Sequence, residues 1–339
     1  MTDSTPATIG RLVDRAPTLS GAEIAGYLVP PPQFLGASLD NYTPDADYPS
    51  QTEAVEKMRS FAAQWGAQPG GGWFKKKAPA QKPGVYLDGG FGVGKTHLLA
   101  ALWHLAPGPK YFGTFIEYTA LVGALGYREA VALLTGARLI AIDEFELDDP
   151  GDTMVMTRLL GELVKTGSRI AATSNTPPNA LGEGRFAAAD FLREIQSLSA
   201  NFDTLRIDGL DYRRRDVEGA AKTVDDDAIA ASVLERAGMG AATEDGFDDI
   251  LEFLATVHPS RYVKMVDGLG AIGIHQVRVL ESQTDALRFV ALVDRLYDAQ
   301  VRISASGVPL DSVFGADMLT GGYRKKYLRA TSRLIALTE

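Results

Sequence analysis

The sequence predicts an α/β fold, with a central parallel sheet covered by helices on both faces and a smaller C-terminal, mostly helical α/β region. Three observations predict it. From Gly84 onward, short continuous apolar runs alternate with helical patterns, as expected of parallel strands buried on both faces. One such run passes through a glycine-rich turn into a helix, in "LDGGFGVGKTHLLAAL" (Leu87 to Leu102). Another, "LIAIDEF" (Leu139 to Phe145), ends in two adjacent acids.

The chain has 339 residues, more than one average domain and enough for a sizeable core. Its 45% hydrophobic and 23% charged content is that of an ordinary globular protein. The net charge of −9 disfavours nonspecific nucleic-acid binding, which needs a basic surface. The basic clusters "KKK" (Lys75 to Lys77) and "YRKKYLR" (Tyr323 to Arg329) read as solvated surface or nucleotide-facing charge. Absence of cysteine excludes disulfides, thiolate metal sites and cysteine nucleophiles, and suits the cytoplasm. The N-terminus has no apolar core of signal-peptide length, and no run of roughly 18 apolar residues predicts a membrane span.

Residues 1–33 end in "VPPP", where the prolines block helix and ladder pairing, so the segment reads as an arm or linker. A helical pattern starts near Pro49 and Gln51, with Ala54, Val55, Met58, Phe61 and Ala62 on one face. "GAQPGGGWFKKKAPAQKP" is a loop by composition. Then follow a strand "GVYLD", a helix "THLLAALWHLA" stopped at Pro107, a strand leading into a helix in "KYFGTFIEY", and the strand "ARLIAIDEF". The helix after it has Asp149 suited to the N-cap, Pro150 in the first turn and Gly167 as the stop. "SRIAATSN" and "DTLRID" are further strands. The interval from Lys95 to Asp143 leaves room for two strand–helix steps and places another strand between the two motif strands. Residues 34–216 thus form the core, 217–245 an acidic Ala/Gly-rich linker or insert with one helix, and 246–339 a lid-like domain. A helix-then-strand rhythm in "RLLGELVKTGSRIAATSN" is echoed by "RFVALVDRLYDAQVRISASG"; two independent helix–strand units explain it as well as a repeat does.

The loop from Gly89 through Gly90, Phe91, Gly92, Val93 and Gly94 to Lys95, Thr96 and His97 meets the pattern G-x-x-x-x-G-K-[ST] in its proper strand–turn–helix context. Backbone N–H groups of such a loop converge on phosphate oxygens, and the helix N-terminus adds a favourable dipole. Lys95 then bridges β and γ phosphates, and Thr96 ligates Mg²⁺. Asp143, at the end of a buried strand, reaches the Mg²⁺ shell, and Glu144 takes a proton from attacking water. Alone, such a pair is also how a strand ends in solvated acids. Asn175, at the end of "AATSN", orients the water and senses the γ-phosphate, although Asn before "TPP" is also an ordinary turn residue.

These motifs in this order resemble the AAA+ branch of P-loop NTPases. The flanking "FLREIQSLSANFDTLRIDGLDYR", "ALRFVALVDRLYD" and "ATSRL" look like the ZapE/AFG-type ATPase family over roughly residues 34–339. The resemblance implies Mg²⁺-dependent ATP hydrolysis and a role in cell division with FtsZ or another division protein as partner. It makes Arg333 a late arginine facing nucleotide and places Tyr42 and Gln51 near adenine, where either equally serves for packing or capping. The family's arginine before "FLP" has no direct counterpart. Asp190 precedes Phe191 here and Arg193 replaces the proline, so a finger acting in trans within a homo-oligomer is Arg185 or Arg193. The alternative is a nucleic-acid-associated, helicase-loader-like ATPase, which shares the nucleotide core. No aromatic–basic stacking stripe supports it.

Overall fold

In the computed structural model, residues 9–15, 20–65, 82–90, 92–147, 150–181, 192–210, 219–321 and 323–339 are described. The chain forms two compact units, one of Ser20–Tyr212 and one of Met1–Leu19 with Arg213–Glu339. This division differs from boundaries at 33, 216 and 245. The first strand, β1 (Ile9–Gly10), belongs to the second unit.

The first unit begins with α1 (Gly21–Gly26), closed by a capping box in which Ser20 and Glu23 satisfy each other's backbone N–H. It continues through α2 (Pro49–Ala63), β2 (Gly84–Gly89), α3 (Lys95–Leu105), β3 (Lys110–Thr114), α4 (Phe115–Leu125) and α5 (Tyr127–Leu134). β4 (Leu139–Asp143), α6 (Pro150–Lys165), β5 (Arg169–Ser174), α7 (Leu192–Ala200) and β6 (Phe202–Ile207) complete it. Its five strands are all parallel, in the order β3-β4-β5-β2-β6. β2 and β4 are buried along their whole length, which explains why their sequences are continuous rather than alternating.

Alternation instead sorts residues between faces. Val85, Leu87, Leu139 and Ala141 pack with α2 and α3. Tyr86 points the other way into edge-on contact with Phe145 and Phe202, and Phe145 also meets Phe115. Each such ring pair adds about 0.5–1.5 kcal/mol beyond area burial.

Between α3, which starts at Lys95, and β4, which ends at Asp143, the chain forms one strand, β3, and two helices, α4 and α5, rather than two strand–helix steps. The strand that lies between the motif strands β2 and β4 is β5, from later in the chain. β3 takes the edge, paired Thr114 to Asp143. This ordering sets the carboxyl ends of β4, β5 and β2 side by side, the place where open parallel sheets bind ligands.

The second unit carries a four-stranded parallel sheet, β1-β7-β8-β9, with β7 (Ala241–Gly246), β8 (Leu269–Val277) and β9 (Arg302–Gly307). Its helices are α8 (Ile229–Arg236), α9 (Phe247–Thr256), α10 (Tyr262–Val266), α11 (Gln283–Asp298) and α12 (Arg324–Thr338). α8 packs on one face through Ile229 and Val233 against Ala242 and Ala271. Ile272 and Ile274, on the other face, join the core formed with α9, α11 and α12.

Two expectations are corrected here. The 1–33 arm contributes a strand: Leu12 is fully buried, and its N–H donates to Asp245 Oδ2 at 2.6 Å. The acidic 217–245 segment, expected as a linker or insert with one helix, supplies α8 and all but the last residue of β7. Its acids mislead by composition, because Asp245 is only 3% exposed and is tied to Arg11 and the Leu12 N–H.

Candidate active site

The phosphate loop leaves β2 at Gly89 and enters α3 at Lys95. Gly92 and Gly94 adopt positive φ, 68° and 81°, which only glycine does readily. At Gly94 space is limiting as well: a Cβ there would lie 2.5 Å from Tyr42 Cε2. The Tyr42 hydroxyl donates to Val93 O at 2.8 Å, so this side chain braces the loop from outside. Its ring lies 5.8 Å from that of His97, whose Nε2 is 3.0 Å from Ser38 O. Phe91 lies outside the described residues.

Lys95 is 9% exposed. Its ammonium donates to Gly89 O at 2.7 Å, to Gly90 O, and to Asn175 Oδ1 at 2.9 Å. Sequence reasoning proposed Lys95 and Asn175 separately, and the structure brings them into contact because β5 neighbours β2.

Thr96 Oγ1 lies 3.2 and 3.1 Å from the two carboxylate oxygens of Asp143. Burial and the charge of neighbouring Glu144 push the Asp143 carboxyl above its ordinary pKa. Hydrogen bonds from Thr173 and Thr96 and the charge of Lys95 act in the opposite direction. A hydroxyl and a carboxylate side by side are hard oxygen donors of the kind Mg²⁺ takes, beside a loop built for phosphate, so the residues fit a Mg²⁺–nucleotide.

Glu144 turns away from the strand with φ 52°. That conformation costs a non-glycine residue roughly 1–2 kcal/mol. Its N–H donates to Thr173 Oγ1 at 3.1 Å, and the next N–H, of Phe145, donates to Thr173 O at 2.6 Å. Thr173 Oγ1 in turn donates to Asp143 Oδ1. Sequence reasoning missed Thr173. The available signal was its spacing, two residues before Asn175 on a strand, which points both side chains to one face.

Gln51 is 1% exposed, and both ends of its amide are engaged. Oε1 accepts from Asp45 N at 2.8 Å, and Nε2 donates to Asp208 O at 2.9 Å. These contacts give Tyr42 a bracing role on the loop and Gln51 a packing role.

Arg193 is exposed on α7, and Arg185 lies outside the described residues. Arg333, on α12, is 8% exposed. Its guanidinium is hydrogen-bonded to Asp294 and lies 5.1 Å from the Tyr297 ring. Arg329 shares Asp294 at 2.7 Å. Within its own unit, Arg333 is therefore a buried ion-pair residue.

A phosphate loop, an Asp–Glu strand end and a polar neighbouring strand on this five-stranded parallel sheet define a P-loop NTPase of the AAA+ class. The chain belongs to the AFG1-like ATPase family, whose model matches residues 22–236 and 236–339. It is similar to the cell division protein ZapE of Escherichia coli K12, 27% identical over 306 residues, which cover 77% of this chain and 80% of that one. It is also similar to the lactation elevated protein 1 homolog B of Danio rerio, 25% identical over 217 residues, 54% of this chain and 43% of that one. Among solved structures, DnaI aligns with TM-score 0.39 and 20% identity over 52% of this chain and 94% of its own. The replication initiator DnaA bound to AMPPCP and single-stranded DNA aligns at 0.41 and 12%, over 90% and 81%. Sheet order and loop geometry define the fold. Among the described residues no helix is long and apolar enough to cross a membrane.

Proposed function

We propose that this protein binds ATP with Mg²⁺, hydrolyses it to ADP and phosphate, and uses the cycle to remodel or regulate a protein partner in cell division. The carrying observation is the cluster in which Lys95 contacts Asn175 while Thr96 and Asp143 lie together, with Glu144 next to them at positive φ. In this reading Lys95 leaves the carbonyls of Gly89 and Gly90 to bridge the β and γ phosphates. Thr96 and Asp143 hold the Mg²⁺, which neutralises phosphate charge when bound. Glu144 accepts a proton from the water that attacks the γ-phosphorus, and Asn175 orients that water. ATP as the nucleotide and the cytoplasm as the location follow from the family reading.

A trans arginine makes turnover depend on homo-oligomerisation, with Arg193 or Arg185 as the finger. The cell-division role rests on the similarity to ZapE, and FtsZ is the partner to test first.

The test compares wild type with Glu144→Gln. The variant is expected to bind ATP while releasing phosphate about 10²–10⁴-fold more slowly, the usual contribution of a positioned base. Equal turnover of the two proteins sinks the assignment. Glu144→Gln held in ATP also serves as bait: recovery of a division protein supports the partner reading, and recovery of replication factors alone counts against it.

A further inference from the structure

Asp143 and Glu144 are consecutive in sequence but sit in different surroundings, the first buried against Thr96 and the second half-buried with its backbone at positive φ. The ladder between β4 and β5 pairs residues only as far as Ile142 with Ala172, so the Glu144 N–H lies beyond it. We propose that Thr173 is the positioning residue that sets these two acids for hydrolysis, an inference that rests on the ATPase reading above.

Thr173 is 1% exposed at the end of β5. A hydroxyl has one proton to give and two lone pairs to receive. Here the proton is committed to Asp143 Oδ1, and a lone pair faces the Glu144 N–H at 3.1 Å. The carbonyl of the same residue receives the Phe145 N–H at 2.6 Å. One residue thus holds three successive residues of the chain leaving β4. The side-chain part of this hold falls on the two acids, and it keeps Glu144 at φ 52°. A methyl in place of the hydroxyl removes both side-chain bonds and leaves a main-chain N–H without the partner it has here. Glu144 then relaxes toward negative φ, which redirects its carboxylate.

The experiment uses the full-length protein and three readouts. Thr173→Val has the same shape without the hydroxyl, and Thr173→Ser keeps the hydroxyl. Thr173→Val is expected to lower kcat on the order of 10²-fold while KM for ATP stays within about threefold, because the residue it displaces, Glu144, acts in turnover and not in ATP binding. Thr173→Ser is expected to stay within about threefold of wild type in both. In the Glu144→Gln background, Thr173→Val is expected to add no further loss, since residues that act as a unit are not additive. Without turnover, a crystal structure of Thr173→Val is expected to show Glu144 at negative φ.

Thr173→Val turning over at the wild-type rate overturns the proposal. So does Thr173→Ser as slow as Thr173→Val, or a full additional loss in the Glu144→Gln background. If Thr173→Val does not fold, Thr173→Ala takes its place with the same expectations. Equal turnover of wild type and Glu144→Gln defeats the ATPase reading itself. A large gap between those two, with Thr173→Val at the wild-type rate, defeats only the role of Thr173.

Discussion

Lys95 Nζ donates to Asn175 Oδ1 across 2.9 Å, tying the phosphate loop to the end of β5. With two loop carbonyls also on the ammonium, a buried charge is kept satisfied by neutral acceptors. Phosphate replaces neutral acceptors readily, because its full negative charge adds a Coulomb attraction to the ammonium that a carbonyl dipole does not match. Asn175→Asp puts a carboxylate in competition with phosphate for Lys95. It is expected to weaken ATP binding at least about tenfold (~1.4 kcal/mol). Asn175→Ala is expected to leave affinity within a few fold and to slow phosphate release on the order of 10²-fold. Titration with a fluorescent ATP analogue and steady-state phosphate release separate the two effects. Unchanged affinity in Asn175→Asp contradicts the idea that Lys95 moves to phosphate.

Gly94 tests the loop itself. Alanine there meets both a left-handed backbone, φ 81°, and the Tyr42 ring at 2.5 Å. Gly94→Ala is expected to abolish ATP binding while the second unit stays folded. Tyr42→Phe removes the bond to Val93 O, a net loss of about 0.5–1.5 kcal/mol, and is expected to weaken ATP binding by roughly three- to tenfold. Calorimetric titration reads both. An unaffected Tyr42→Phe shows that the hydroxyl does not brace the loop.

Asp294 tests the second unit. Burial alone raises its pKa, but Arg329, Arg333 and Arg295 outweigh burial and hold it below the ordinary aspartate range. A pKa lowered by folding gives stability that is present above the unfolded value and lost as pH falls toward the folded one. Asp294→Asn removes the carboxylate between two buried guanidinium groups, a loss of about 3–5 kcal/mol at neutral pH. The gap between wild type and variant in denaturant unfolding of this unit is expected to be constant from about pH 5 to 8 and to close below roughly 3.9. A gap that closes at neutral pH excludes the ion pair as its source. Arg333→Ala provides a companion test, expected to lower stability and leave nucleotide affinity unchanged.

The elements legible in the sequence are those whose cause is local. Gly89 to Thr96 announces itself because a strand, a glycine turn and a helix start are consecutive in the chain. "LIAID" shows its burial on both faces in five consecutive residues, and its acids follow directly. The contacts that complete the site are not local. Thr173 lies 3.1 Å from Glu144 N only because β5 inserts between β4 and β2, and composition carries no trace of that order.

The same distinction explains the second unit. Asp245 falls in the segment expected as an acidic linker or insert, and Arg333 is the arginine that the resemblance turns toward nucleotide; neither expectation names the partner each has within its own unit. Their partners, Leu12 N and Asp294, come from distant parts of the chain. The sequence by itself determined the class of protein, through the glycine loop that ends in Lys95 and Thr96 and the strand that ends in Asp143 and Glu144. Tertiary structure alone decided which strand lies between the motif strands, which threonine holds the two acids and which arginine is spent on an aspartate. Pairing between strands and charges depends on spatial neighbours, and chain order does not specify them.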